Sequence, residues 1–176
     1  KTDGTLYAWG YNARGQLGDG STTNKNSPTK IGTDTYTAIA CGGTHSLALR
    51  TDGTLWAWGN NSYGQLGDGT IDNKNSPTKI GTDTDWKAIA GGEYHSLAIK
   101  TGGNLWAWGK NAYGQLGDGT TIDKNSPTKI GTDTDWKAVA CGQSYSLTLK
   151  TDGTLWAWGD NSYGQLGNGT LNDKTT

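Results

Sequence analysis

The sequence predicts an all-β fold built from β-propeller blades, and three observations support this prediction. Copies of one segment begin at Thr2, Thr51, Thr101 and Thr151, so successive copies are 49, 50 and 50 residues apart. Each copy contains the dipeptide Asp-Gly or Gly-Gly between two apolar runs, which is typical of tight antiparallel hairpins. No stretch keeps a helical period of apolar residues. Repeats of this length in an all-β chain indicate radially arranged sheets.

The repeats divide the chain without a linker, and we expect a single propeller region over residues 1–176. The repeat boundaries are predicted at 2–50, 51–100, 101–150 and 151–176, the last of which is partial. The first repeat is one residue short because DTYT stands where the others have DTDWK.

Each repeat is predicted to form four antiparallel strands, named A to D from the inside of the blade outward. The assigned ranges are Lys87–Ala90 for strand A, His95–Lys100 for strand B, Thr54–Gly59 for strand C and Ser76–Ile80 for strand D. Strand A is rich in small residues, which suits the crowded axis of a propeller. Strand D begins with Ser-Pro, and proline is tolerated on an outer edge strand because no partner needs its missing N–H.

Strand C distinguishes a propeller from a two-sheet sandwich. Trp56 and Trp58 alternate with Leu55 and Ala57, so both faces of the strand are apolar. A blade between two neighbours requires this pattern, whereas a sandwich strand has one polar face. A parallel solenoid is the runner-up, and the hairpin turns argue against it. The strand count gives about three and a half blades.

The composition excludes several function classes. The net charge is −1 and basic residues are scattered singly, which argues against nucleic-acid binding. No apolar run approaches the length that spans a bilayer, so no membrane insertion is expected. The chain lacks Phe and Met, and 9 Trp and 8 Tyr supply the apolar area for a core. Cys41 and Cys141 occupy equivalent positions two repeats apart, and we expect buried thiols that do not pair.

Several residue patterns could indicate a catalytic or ligand-binding site, but a structural role is the better interpretation of each. His45 and His95 lack a partner that would make either one a catalytic base, so we expect structural histidines and no enzyme activity. The strand C tryptophans are expected to pack between blades rather than to stack on a ligand. The Gly-rich GQLGDG segment lacks the Lys-Ser/Thr of a phosphate-binding loop and is expected to tether one blade to the next. Asp83 and Asp85 lack the spacing of a calcium loop. No metal and no cofactor is predicted.

Positions at which the repeats differ are the candidate binding residues, because packing does not determine them. They lie in the turn between strands A and B and directly after strand C, where we expect loops on the rim of a rigid scaffold. Neutral drift at exposed positions explains the same variation. The candidate binding residues are Thr44, Glu93, Tyr94, Ser144, Tyr11, Asn60, Lys110 and Asp160.

The sequence resembles the repeat of the regulator of chromosome condensation family. The matching residues are Gly42, His45-Ser46-Leu47, Asp52-Gly53, Trp58-Gly59 and Gly64-Gln65-Leu66-Gly67, with their equivalents in the other repeats. The resemblance covers almost the whole chain and implies blades of a seven-bladed propeller. Family functions vary, from nucleotide exchange on a small GTPase with chromatin binding to the inhibition of an enzyme by a bacterial relative.

The expected function is a non-catalytic scaffold that binds a protein partner. The similarity among repeats and the Thr, Asn, Gly and Trp content suggest a bacterial array in a longer extracellular or cell-surface protein. The alternatives are a carbohydrate-binding module that uses exposed Trp or Tyr, and a structural array that self-assembles. Because fewer than four blades are present, we expect either ring closure by a longer chain or self-association.

Overall fold

The computed structural model describes all 176 residues, and it confirms the all-β prediction. Twelve strands form antiparallel sheets, and within each sheet neighbouring strands are consecutive along the chain. The strands are β1 (Thr5–Gly10), β2 (Lys25–Cys41), β3 (His45–Arg50), β4 (Leu55–Gly59), β5 (Lys74–Ile80), β6 (Trp86–Gly91), β7 (His95–Lys100), β8 (Leu105–Gly109), β9 (Lys124–Ile130), β10 (Trp136–Cys141), β11 (Tyr145–Lys150) and β12 (Leu155–Gly159).

These strands form a partial propeller with two complete blades. Blade 1 contains strands C and D, which are β1 and the first part of β2. Blade 2 contains the second part of β2 with β3, β4 and β5, and blade 3 contains β6 to β9. Blade 4 contains β10 to β12, followed by a single bridge between Gly159 and Lys174 where strand D begins.

The first connection between blades differs from the prediction of separate strands D and A. Strand β2 runs unbroken for 17 residues, pairing with β1 up to Thr35 and with β3 from Tyr36 onward. The later connections leave the sheet at residues 81–85 and 131–135. The first repeat lacks the residue equivalent to Asp85, and the shorter link crosses between blades in an extended conformation.

The core lies between blades, as the alternating pattern of strand C predicts. Leu55 and Ala57 of blade 2 pack in one cluster with Trp86 and Trp108 of blade 3. On the other face of the same blade, Trp58 packs against Leu6 and Ile31 of blade 1, in a cluster that also contains Ala48. A similar cluster joins blades 3 and 4, in which Leu105 and Ala107 pack with Trp136 and Trp158. Each blade face that has a neighbour is therefore buried.

The GQLGDG loop tethers each blade to the next through one backbone carbonyl, which confirms its predicted role. The Gln65 carbonyl accepts hydrogen bonds from Trp108 Nε1 at 2.9 Å and from Ser96 Oγ at 2.8 Å, both in blade 3. Gln16 and Gln115 make the same pair of contacts with the blades that follow them. The loop is held by a buried asparagine, Asn61, whose Oδ1 accepts the Leu66 N–H and whose Nδ2 donates to Asp68.

The outer faces of the first and last blades are exposed. Leu155 in blade 4 is 68% exposed, whereas its equivalent Leu55 is fully buried. Trp9 in blade 1 is 59% exposed, whereas its equivalent Trp58 is 3% exposed. Cys41 is also exposed, in contrast to the predicted buried thiol, because blade 1 has no strand A to cover it. The expectation of ring closure or self-association stays a prediction.

We predict that Trp108→Phe lowers the free energy of unfolding by about 1–2 kcal/mol beyond the loss of ring area, because Gln65 loses a buried hydrogen bond. Trp106→Phe is the matched control on the same strand, since the Trp106 Nε1 has no hydrogen-bond partner. Urea unfolding of both variants measures the difference. Equal losses for the two variants would show that the carbonyl tether adds no stability.

Candidate interaction surface

The two variable segments of each repeat lie side by side on one face of the propeller. The Asn60 N–H donates to the Thr44 carbonyl at 2.9 Å, and the Lys110 N–H donates to the Tyr94 carbonyl at 2.8 Å. Asp160 and Ser144 make the same backbone bond in blade 4. The turn between strands A and B therefore sits against the residue that follows strand C. We call this side of the molecule the variable face.

Not every candidate residue offers a free side chain there. Asn60 is only 6% exposed, and its Oδ1 accepts hydrogen bonds from the Ser62 N–H and from Gln65 Nε2. The prediction that Asn60 is accessible at the rim is therefore wrong, because its side chain is buried and stabilises the loop that follows strand C. Asp160 is half-buried and makes equivalent bonds to Ser162 and Gln165. Thr44 and Ser144 are also half-buried.

Blades 2 and 3 bring together a compact group that we call the tyrosine cluster, formed by Tyr63, Tyr94 and Lys110. The rings of Tyr63 and Tyr94 are 5.2 Å apart and tilted by 55°. Lys110 Nζ lies 5.0 Å from the centre of the Tyr63 ring and 5.5 Å from that of Tyr94. This geometry is that of an aromatic pair capped by a cation. Tyr63 directly precedes the GQLGDG segment of blade 2, and the other two residues come from blade 3.

Sequence reasoning missed Tyr63, although the signal was available. Its position before GQLG is Arg14 in the first repeat and Tyr113 and Tyr163 in the third and fourth. Because three of the four repeats have tyrosine here, the position was not among those at which the repeats differ most. Only the contact across the blade boundary shows that it meets Tyr94, which lies 31 residues further along the sequence (94 minus 63).

Glu93 directly precedes Tyr94 and borders the tyrosine cluster. Its Oε2 accepts a hydrogen bond from Gln143 Nε2 at 2.8 Å, and its backbone N–H donates to the Gln143 carbonyl. The negative charge of Glu93 is the main cause that raises the pKa of Tyr94, while the charge of Arg14 acts in the opposite direction. The two tyrosines are therefore influenced by one acidic side chain, Glu93, and by two basic ones, Arg14 and Lys110.

The histidines have a structural role, but their bonds cross to the next blade rather than closing their own turn. His45 Nε2 is 2.9 Å from Ser96 Oγ, and His95 Nε2 is 3.0 Å from Ser146 Oγ. Each serine hydroxyl donates its single proton to a glutamine carbonyl, so it must accept a proton from histidine. Both rings are therefore in the Nε2–H tautomer. Burial lowers the pKa of His45 to about 4 and that of His95 to about 3.

The third equivalent of these histidines is Tyr145, which has no such bond to a following blade. All three rings lie directly over a glycine, and a Cβ on Gly92 would come within 2.1 Å of the His95 ring. Gly42 and Gly142 are equally close to His45 and Tyr145. The glycine is required here for close approach rather than for an unusual backbone angle.

A cavity of about 420 Å³ opens beside blade 1, in the place that strands A and B occupy in complete blades. Trp9, Tyr11, Ile39 and Trp58 contribute to its largely apolar lining. Tyr11 is 59% exposed, and it lies next to the turn that contains Thr44. Of the candidate residues, Tyr11 is therefore the one whose surroundings depend most on the exposed face of blade 1.

The aspartates of the link between strands D and A bind a lysine. Lys100 Nζ lies 2.6 Å from Asp83 Oδ2 and 3.0 Å from Asp85 Oδ1, and it also lies over the rings of Trp86 and Trp106. Lys150 makes the same contacts in blade 4. These carboxylates are thus part of an ion pair that covers the edge of the aromatic core.

A family model described as the RCC1-like domain matches residues 1–176, the whole length of the chain. The chain belongs to the RCC1-like domain family. This confirms the family resemblance that the repeat motifs indicated.

Solved structures and curated sequences agree with this membership. Human WBSCR16 is 29% identical with a TM-score of 0.88, over 98% of this chain and 47% of that one. Prp20p from Saccharomyces cerevisiae, described with its binding to Gsp1p and histones, is 26% identical with a TM-score of 0.87, over 98% and 45%. Yeast RCC1 (Prp20) bound to Kap60 is 25% identical with a TM-score of 0.86, over 98% and 44%. The RCC2 homolog of Danio rerio is 45% identical over 51 residues, 27% of this chain and 10% of that protein.

This RCC1-like chain spans about half the length of the solved relatives that it matches. The structure contains no helix long and apolar enough to cross a membrane. The expected extracellular or cell-surface location is wrong, because the matched relatives are eukaryotic RCC1 and RCC2 proteins and the yeast protein is described with histones, which are intracellular proteins. These relatives do not support a bacterial array.

We predict that the free energy of unfolding decreases as the pH falls from about 6.5 to about 4. Folding lowers the pKa of both histidines, so the unfolded chain binds more protons in this range and is favoured as the pH falls. Urea unfolding as a function of pH measures the effect. Asp19, Asp68 and Asp118 also have lowered pKa values, and their effect on stability falls mostly below about pH 5.

The double variant His45→Gln/His95→Gln is the control for this prediction, because glutamine keeps an N–H donor and does not titrate. Its stability should vary less between pH 6.5 and 4 than that of the parent. An identical pH dependence in the two proteins would contradict the prediction.

Proposed function

We propose that this RCC1-like chain is a non-catalytic scaffold that binds a protein partner through its variable face. The tyrosine cluster is the observation that carries the proposal. Tyr63 and Tyr94 form an aromatic pair under Lys110, assembled from two blades on a rigid sheet scaffold. Tyrosine side chains on pre-formed surfaces are frequent anchors of protein interfaces. The family fold is compatible with such a role.

The rest of the structure supports this proposal over catalysis. His45 and His95 are buried, and each Nε2 is engaged with a serine of the next blade. The aspartates at 83 and 85 are paired with Lys100. Partner binding by the yeast relative, whose structures are described with Kap60, Gsp1p and histones, is consistent with an interaction module.

The variable face also explains how near-identical repeats can produce one specific site. The position of Tyr94 is Thr44 in blade 2 and Ser144 in blade 4, and the position of Lys110 is Asn60 and Asp160 in those blades. The cluster therefore occurs once among equivalent positions. A partner that requires it would dock in a single orientation.

We predict that Tyr63→Ser/Tyr94→Ser weakens partner binding by at least about tenfold, because two anchoring rings are lost. The partner is first captured by the folded full-length protein from an extract of the source cells and identified by mass spectrometry. Calorimetry with the purified partner then measures the affinity. Thermal unfolding confirms that the variant folds.

Tyr113→Ser is the matched control for this experiment. Tyr113 is also exposed and occupies the same repeat position, but it faces a blade with Ser144 and Asp160 in place of Tyr94 and Lys110. Its substitution should change the affinity by less than about twofold, as expected for a residue outside the hot spot. Unchanged affinity in the double variant, or an equal loss in both proteins, would refute the proposed site.

A further inference from the structure

The cationic side chains of this chain differ in whether an aspartate neutralises their charge. Two of the unpaired ones, Arg14 and Lys110, indicate the chemistry of the partner. In the loops between strands C and D, Lys25, Lys74 and Lys124 each form an ion pair with an aspartate of the same loop. Arg50 and Lys100 pair with aspartates of the link that precedes strand A, and Lys150 repeats this arrangement in blade 4. Other recurring bases, such as Lys79 on the outer strand, have no ion pair, so a missing partner does not by itself indicate a binding site.

Arg14 and Lys110 differ from the other bases in their positions within the repeat. No carboxylate lies within 4.0 Å of either charged group. Both residues occupy positions that are not basic in any other repeat: Arg14 is replaced by tyrosine, and Lys110 by Tyr11, Asn60 or Asp160. The fold therefore does not require a base at either position.

Lys110 contacts the tyrosine cluster directly, because its Nζ lies over the two rings. Arg14 is a secondary base, whose charge lowers the pKa of the Tyr94 hydroxyl against the stronger, opposite effect of Glu93. Arg14 is exposed, and Lys110 is half-buried against the rings. Aromatic side chains beside unpaired cations offer apolar contact and charge at one place.

We propose that the tyrosine cluster binds an acidic segment of the partner protein, with a carboxylate at Lys110, its apolar side chains on Tyr63 and Tyr94, and Arg14 as an additional positive charge. This inference rests on the proposed function of the variable face. Charge complementarity favours an acidic partner, because these two unpaired bases occupy positions that are not basic in any other repeat. Nucleic acid fits less well, since the net charge is −1 and Glu93 borders the site.

Glu93 gives the proposal a second, opposite prediction. Its carboxylate borders the cluster and is held by Gln143, so it repels an acidic ligand at the edge of the site. Neutralising it should strengthen binding, whereas neutralising either base should weaken binding. If only the net charge of the whole protein mattered, neutralising a charge of the same sign at a distant position would change the binding affinity in the same way.

The experiment measures fluorescence anisotropy of a labelled peptide, Glu-Glu-Leu repeated three times, against the full-length protein. The uncharged peptide Gln-Gln-Leu repeated three times and a single-stranded oligonucleotide of about 12 nucleotides are the comparison probes. Lys110→Gln should weaken binding of the acidic peptide by about threefold, Arg14→Gln should weaken it by a smaller factor, and Glu93→Gln should strengthen it by about twofold, in the range of solvent-exposed charge pairs. All three effects should shrink as salt rises from 50 to about 200 mM.

Lys79→Gln is the matched control, because Lys79 is an exposed lysine on the outer strand β5 with no ion pair. It removes the same charge, and it should leave the affinity unchanged. The proposal is overturned if Lys79→Gln weakens binding as much as Lys110→Gln, or if the glutamine peptide binds equally well. Tighter binding of the oligonucleotide that also depends on Lys110 would instead assign the face to nucleic acid.

These outcomes are distinguishable from a failure of the proposed function. If the captured partner requires Tyr63 and Tyr94 while the acidic peptide does not bind, the interaction site stands and only the acidic character of the partner is wrong. If the captured partner is indifferent to both tyrosines, the proposed function itself fails.

Discussion

One backbone carbonyl in each GQLGDG loop determines how the blades stack. The Gln65 carbonyl receives the indole N–H of Trp108 and the hydroxyl of Ser96 from the following blade, and Ser96 in turn accepts from His45. These groups are buried, so each must find its partner or pay a desolvation penalty. A blade that shifted or rotated would break all of these bonds together. The flat apolar contacts between sheets, by contrast, would tolerate sliding.

The same constraint explains which residues of the repeat stay constant. The tryptophan, serine, histidine, glutamine and the glycines beneath the rings take part in contacts between blades, and they recur nearly unchanged. Side chains that point away from these contacts are free to differ. Because the turn between strands A and B and the residue after strand C are joined only by a backbone bond, such as that between Lys110 and Tyr94, their side chains can change without disturbing the blade. Specificity can therefore accumulate on the variable face.

Much of the architecture was predictable from local patterns. The bounds of strand B were predicted without error, and strands A, C and D differ by one or two residues at their ends. Hairpin turns and alternation of apolar residues depend on near neighbours, which the sequence displays directly. The merging of strands D and A in β2 was not predicted, although the missing residue that causes it was visible.

The sequence by itself determined the repeat, the all-β blade, the apolar character of both blade faces and the positions where the repeats differ, because each of these follows from residue type and spacing. Only the tertiary structure decided which residues of adjacent repeats meet. The pairing of His45 with Ser96, the burial of Asn60 and the contact of Tyr63 with Tyr94 all depend on the stacking of one blade on the next. Equivalent positions have almost the same sequence, so the chain alone does not distinguish a contact within a repeat from one across the boundary.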